Sequence, residues 1–357
     1  MTHNKNYIIT NKFKRSVDRD SILLSVSFLI VILSKVFLFV YRDSSVEASV
    51  FKDEYEYSLR SRLLPIDAPG LPNYLFSTIF RISNIAGANF LSAVHLLNII
   101  FFIFSLYFLR KICILVLSRL NVALFTILAG FSPIETYSVY FTPEILFLMI
   151  FALLTLTLVK IEDPLSGKSI LKISFLVSSL SLVKPGGLFI LIPITIYFAF
   201  TFIYKRADSR KIPRLGYLVF WYFVTPILIK FGISYVLVGS QGISLFGETY
   251  TSVALNNEQG ISKLFLLFPI ATKVALNHAT GFFGFFGICT MIPALYVMKT
   301  KKGIRAHKIF TNLSYFFYIN LSFYIIFIAF LLLAFHPQIL WSIQESTLDT
   351  MISYFLY

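Results

Sequence analysis

Long apolar runs separated by short polar clusters dominate the chain. The run at 21–41 is followed by others at 89–109, 112–132, 143–159, 169–184, 187–204, 215–238, 278–298 and 309–335. A helix that crosses a bilayer core needs roughly 20 apolar residues, so this pattern predicts about nine spans. The runs are apolar on every side, as lipid-immersed helices are, so their periodicity does not mark a buried face. The expected fold is all-α: a polytopic transmembrane helical bundle forming one domain over 1–357, without internal repeat or separate soluble part. Residues 1–20 read as a cytoplasmic tail, and 42–88 and 239–277 as long outer loops. Each loop holds an apolar stretch, 71–82 and 264–275, suited to a helix lying in the membrane interface.

Composition agrees with that reading. Hydrophobic residues make up 57% of the 357 and charged residues 13%, with mean hydropathy +0.79. A soluble domain carries roughly a quarter charged residues. The first apolar run is too long for the core of a signal peptide and lacks a small-residue cleavage site, so it is expected to stay as the first span. Cys113 and Cys289 lie in apolar stretches, which argues against a disulfide framework or a thiolate metal site.

Charge sets the orientation. The net charge of +14 could point to nucleic acid, but the cations sit in clusters between apolar runs, as the positive-inside rule produces. With the N-terminus in the cytoplasm, the cytoplasmic segments hold 21 of the 31 Lys and Arg residues and five acids. The remainder holds ten basic residues and twelve acids. Membrane lipids are therefore expected partners and nucleic acid is not.

Most of the candidate chemistry falls on the outer side. The first outer loop carries Asp53, Glu54 and Glu56 beside Arg60 and Arg62. A carboxylate can take a proton from an attacking hydroxyl, and arginines bind phosphate through charge-assisted hydrogen bonds. The plain alternative is a solvated loop with weak internal ion pairs. Tyr55 and Tyr57 suit interface anchoring or stacking on a sugar. Tyr140 precedes Glu144, which heads an apolar run where a helix N-terminus favours negative charge. Lys184 ends the fifth run, where a charge needs a partner or must snorkel. In the second loop His278, beside Asn277, is a candidate for hydrogen bonding a sugar or phosphate. His95 and His336 lie in apolar spans and receive no role. No His, Asp and Glu spacing makes a metal site.

Taken together, these segments resemble the GT-C superfamily of polytopic glycosyltransferases, such as the protein O-mannosyltransferases and aminoarabinose lipid A transferases. The resemblance rests on the Asp53-Glu54 pair after the first span and on Ser132-Pro133 followed by Tyr140-Phe141-Thr142-Pro143-Glu144-Ile145-Leu146-Phe147. It also includes Ser181-Leu182-Val183-Lys184-Pro185-Gly186. It covers roughly residues 20–205 in order and spacing. Where the aminoarabinose transferases place an arginine soon after the acid pair, this chain has Tyr55-Glu56.

The resemblance implies inverting transfer of a sugar from a polyprenyl-phosphate donor to a lipid, glycan or protein hydroxyl on the non-cytoplasmic face. It implies Asp53 as general base with Glu54 as partner or alternate, and donor phosphate at Arg60, Arg62 and Lys184. Tyr57, Tyr140, Glu144 and His278 are expected to line the substrate. No cofactor is expected, the alternative being a divalent ion on Asp53 with Glu144. A bacterial inner membrane is the expected location and the endoplasmic reticulum the alternative. The competing functions are a transporter or flippase, a polymerase of lipid-linked glycans, and a non-catalytic membrane scaffold.

Overall fold

The computed structural model describes residues 3–44, 52–64, 73–115, 117–132, 140–161, 163–164, 166–205, 212–244 and 269. Of these, 90% are helical and none is in a strand. In chain order the helices are α1 (His3–Ser44), α2 (Lys52–Leu63), α3 (Tyr74–Arg81), α4 (Phe90–Ile114) and α5 (Arg119–Gly130). They continue with α6 (Glu144–Lys160), α7 (Gly167–Val183), α8 (Leu191–Lys205) and α9 (Ile212–Val238). Three-ten segments at Ile82–Asn89, Pro185–Ile190 and Gly239–Gly242 tighten the entries to α4 and α8 and the exit from α9.

Each predicted run up to 215–238 overlaps a helix, the run 112–132 being divided between the end of α4 and α5. The runs at 278–298 and 309–335, the stretch 264–275 and His278 lie outside the described residues. Among the described residues three helices are long and apolar enough to cross a membrane: Ser21–Tyr41 within α1, Phe90–Ile114, and Val219–Gly242.

The helices refine the sequence reading at three places. Helix α1 begins at His3 and so runs through the segment read as a tail. The charged segment after the first apolar run forms helix α2, whose last turn carries Arg60 and Arg62. Acids near its start and arginines at its end both complement the helix dipole. Finally, Arg110-Lys111 does not interrupt α4. Both residues are good helix formers, and the helix continues to Ile114. The break falls at 115–118, where the Ser118 hydroxyl accepts from the Asn121 N–H and starts α5, leaving that helix 12 residues long.

Contacts divide the chain into two compact units. The first contains α1, α2, most of α3, and α4 to α6. In it α1 and α5 run parallel. Arg119 donates to the Ser21 hydroxyl at one end (2.6 Å), and Val31 packs where α5 ends. A Cβ at Gly130 would lie 2.5 Å from a Val31 methyl, so only glycine lets the helices approach this closely. The interior is apolar, built on Val31, Phe102, Leu106 and Ile145. The outside is apolar too. Leu96, Ile100, Phe104, Tyr107 and Ile114 form an exposed stripe along α4, and Leu120, Leu124 and Leu128 form another along α5. Apolar stripes of this length facing outward fit lipid and not water.

The second unit is built on α7, α8 and α9. Nearly every residue of α7 from Ile173 to Val183 is buried. Ser174, Ser178 and Ser181 recur on it at helical spacing, and small residues of this kind let helices pack closely. The Ser178 hydroxyl bonds the Pro226 carbonyl of α9 at 2.6 Å. Tyr222 and Lys230, one turn to either side of Pro226, are also buried. The Tyr222 hydroxyl donates to the Pro164 carbonyl (2.8 Å), and Lys230 Nζ donates to the Ser244 carbonyl (3.0 Å), where the chain turns back after α9.

A Cβ at Gly187 would lie 2.5 Å from the Leu180 carbonyl carbon and 2.8 Å from the Ser181 nitrogen. Backbone cannot swing aside as a side chain can. Gly187→Ala is expected to cost about 1–3 kcal/mol. Gly232→Ala, on α9 with nothing within 4 Å, is expected to be neutral or to gain up to about 1 kcal/mol. Apparent melting temperatures of the detergent-purified variants check the contrast, and an unchanged value for Gly187→Ala refutes the packing account.

Candidate functional site

Helix α2 turns one face inward. Glu54, Ser61 and Leu64 are buried there, with Tyr57 half-buried between them, whereas Tyr55, Leu59 and Arg62 face out. Glu54 is a carboxylate in an apolar setting, only 2% exposed, and burial of such a group is costly unless hydrogen bonds satisfy it. Its Oε1 accepts the Phe141 N–H at 2.7 Å. The same oxygen lies 3.5 Å from His95 Nε2 on α4. One turn further along α4, the wholly buried Asn98 donates its amide to the Tyr140 carbonyl. Residues from α2 and α4 thus grip two consecutive backbone groups just before α6 begins at Glu144.

An aromatic cluster encloses this grip. Phe141 is 0% exposed. Its ring centroid lies 5.3 Å from Phe76, 5.1 Å from Phe80, 5.9 Å from Phe90 and 6.3 Å from Tyr57, mostly tilted or edge-on. On the outer side of the cluster the Arg62 guanidinium sits 4.3 Å from the Phe90 centroid. Among the described residues no carboxylate pairs with Arg62. The Phe90 ring is thus its neighbour among the described residues.

The structure thus gathers Glu54, Tyr57, Arg62 and the Tyr140 backbone in the first unit, with Glu144 in the first turn of α6 as expected. Arg60 lies half-buried in the last turn of α2. Asp53 has its backbone in α2, one residue before the buried acid, and its side chain lies outside the described residues. Lys184 belongs to the second unit, where it has extended backbone between α7 and the following three-ten turn. There its N–H donates to the Leu180 carbonyl and its own carbonyl accepts from Gly187. Among the described residues no three His, Cys, Asp or Glu side chains group together as metal ligands.

His95 and Asn98 are the residues that the sequence reading passed over. A signal existed: two strongly polar side chains three residues apart in an otherwise apolar span lie on one helix face. Such residues in a membrane helix usually face protein and not lipid. No family model, curated protein or solved structure matches this chain.

The grip can be tested without knowing a substrate. Glu54→Ala leaves the buried Phe141 N–H without its acceptor and is expected to cost about 1–3 kcal/mol. Glu54→Gln keeps an oxygen in place and is expected to recover part of that loss. Apparent melting temperatures compare them, and equal values for the two variants would remove the hydrogen bond from the account.

Proposed function

We propose that this chain is a polytopic membrane glycosyltransferase of about nine spans. It moves a sugar from a polyprenyl-phosphate donor to an acceptor hydroxyl on the non-cytoplasmic face, in a bacterial inner membrane. The observation that carries the reading is α2 itself: a short helix bearing acids at its start and arginines at its end. It is fixed by its buried acid to the segment that opens α6. A loose charged loop would have no need of such an anchor. Polarity along the first unit supports the same orientation. Arg119, Lys111 and Lys160 stand at one end of its helices, and Glu54 and Glu144 at the other.

Within this reading the two adjacent acids divide the work. Glu54 is engaged with the Phe141 N–H and His95, so it positions the helix. Asp53 is the general base. It removes the proton of the acceptor hydroxyl as that oxygen bonds to the anomeric carbon, and the bond from that carbon to the donor phosphate oxygen breaks on the opposite face. The phosphate departs with the electron pair, and Arg60 and Arg62 stabilise the charge that develops on it. Contact with the Phe90 ring presets the Arg62 guanidinium, which limits the ordering cost of binding.

Asp53→Asn in proteoliposomes supplied with polyprenyl-phosphate sugars and acceptor is expected to lose transfer by about 10²–10⁴-fold with unchanged expression. Arg62→Gln is expected to weaken donor binding more than Arg62→Lys does. Wild-type transfer by Asp53→Asn overturns the base assignment. Absence of transfer by the wild-type chain from any polyprenyl-phosphate sugar overturns the function.

A further inference from the structure

The end of the first unit opposite the candidate site carries its own chemistry. The exposed stripe of α4 runs Leu96, Ile100, Phe104, Tyr107 and Ile114, and Lys111 falls on the same stripe, one turn from each of the last two. A lone cation in a lipid-facing row marks the level at which hydrocarbon gives way to headgroups. Lys111 Nζ lies 5.3 Å from the Tyr107 ring centroid. Its neighbour Arg110 reaches the other way and lies 5.3 Å from the Phe28 ring of α1. Past the turn at 115–118, Arg119 bonds Ser21 at the level where α1 becomes apolar. Three cations on α4 and α5 thus lie at this end of the first unit, where α1, α4 and α5 pack.

Among the described residues no carboxylate pairs with Arg110 or Lys111, and their described partners are aromatic rings. A ring face attracts the charge but accepts none of the conventional hydrogen bonds that a guanidinium or ammonium can donate. A phosphate oxygen accepts them. A zwitterionic headgroup would bring its own cation into this cluster, whereas an anionic one brings only the complement.

We infer that Arg110 and Lys111, with Arg119 beside them, form a discrete binding site for the headgroup of an anionic phospholipid in the adjoining leaflet. The site is independent of the transferase reading. It seats a boundary lipid where α1, α4 and α5 meet, and the acyl chains lie along the α4 stripe.

The test uses the full chain in phosphatidylcholine bilayers doped with spin-labelled phosphatidylglycerol or spin-labelled phosphatidylcholine. The motionally restricted fraction is expected to favour phosphatidylglycerol. Replacing both cations, as Arg110→Gln with Lys111→Gln, is expected to reduce that preference by about 30-fold, given about 1 kcal/mol per cation near an anionic surface. Exchanging them, as Arg110→Lys with Lys111→Arg, is expected to keep it. Inorganic phosphate in the buffer is expected not to displace the lipid. Equal restriction of the two lipids by the wild-type chain overturns the site even if the glutamine variant fails to fold. So does an equal loss from Lys168→Gln with Lys172→Gln, two exposed lysines of α7, since that would make net charge the cause.

Discussion

A single buried carboxylate oxygen ties the segment after the first apolar helix to the helices it packs on. The Glu54 Oε1 meets the Phe141 N–H at 2.7 Å and His95 at 3.5 Å, so one atom joins α2, α4 and the entry to α6. The cost of burying an acid makes the arrangement exacting, because a buried charge is tolerable only where its partners are in place. Asn98 adds a second bond to the neighbouring carbonyl, and together they hold both backbone groups of the Tyr140–Phe141 peptide. The aromatic rings around Phe141 exclude water, which strengthens each of these contacts. Because of this tie, α2 has one face set inward, and Arg62 is left on the outer side against Phe90.

The lipid environment accounts for the rest of the fold's inversion of ordinary rules. Apolar side chains line the outside of α1, α4 and α5, while serines, two asparagines and two lysines are buried among the described residues. Where there is no water to drive apolar surfaces together, close packing and hydrogen bonds between helices take over. The contacts at Gly130 against Val31 and at Ser178 against Pro226 are of these two kinds. They occur in separate units and solve the same problem by different means.

Much of the helical frame was legible because its cause is local: a long apolar run has few alternatives in a membrane. What escaped the sequence depends on partners distant in the chain. Nothing around residue 54 announces that its carboxylate is buried, since the reason lies at His95 and at the Phe141 N–H. The Asp53-Glu54 pair was visible as chemistry, but that Glu54 is buried against the Phe141 N–H and His95 follows only from packing. Likewise Arg110-Lys111 looked like a loop between two spans. Charge alone suggested a break there, whereas helix propensity and the Ser118 cap place it at 115–118.

The two buried lysines bear on the choice between a transferase and a transporter. An intramembrane cation is expensive, and in transporters it commonly lines a path for substrate or ions. Some contacts of these lysines join helices and turns. Lys35 lies 5.0 Å from the Phe102 ring centroid and 5.6 Å from that of Phe131, joining α1 to α4 and to the end of α5. Lys230 bonds the Ser244 carbonyl and so fastens the chain as it turns back after α9. Rings beside one lysine and a backbone carbonyl beside the other are devices for holding helices and turns. Exposed charged side chains among the described residues include Arg62 on α2 and Lys111 in the last turn of α4. In the proposed reading a lipid-linked substrate meets such groups at the interface, where its reactive phosphate stays while its chain is dissolved in the bilayer.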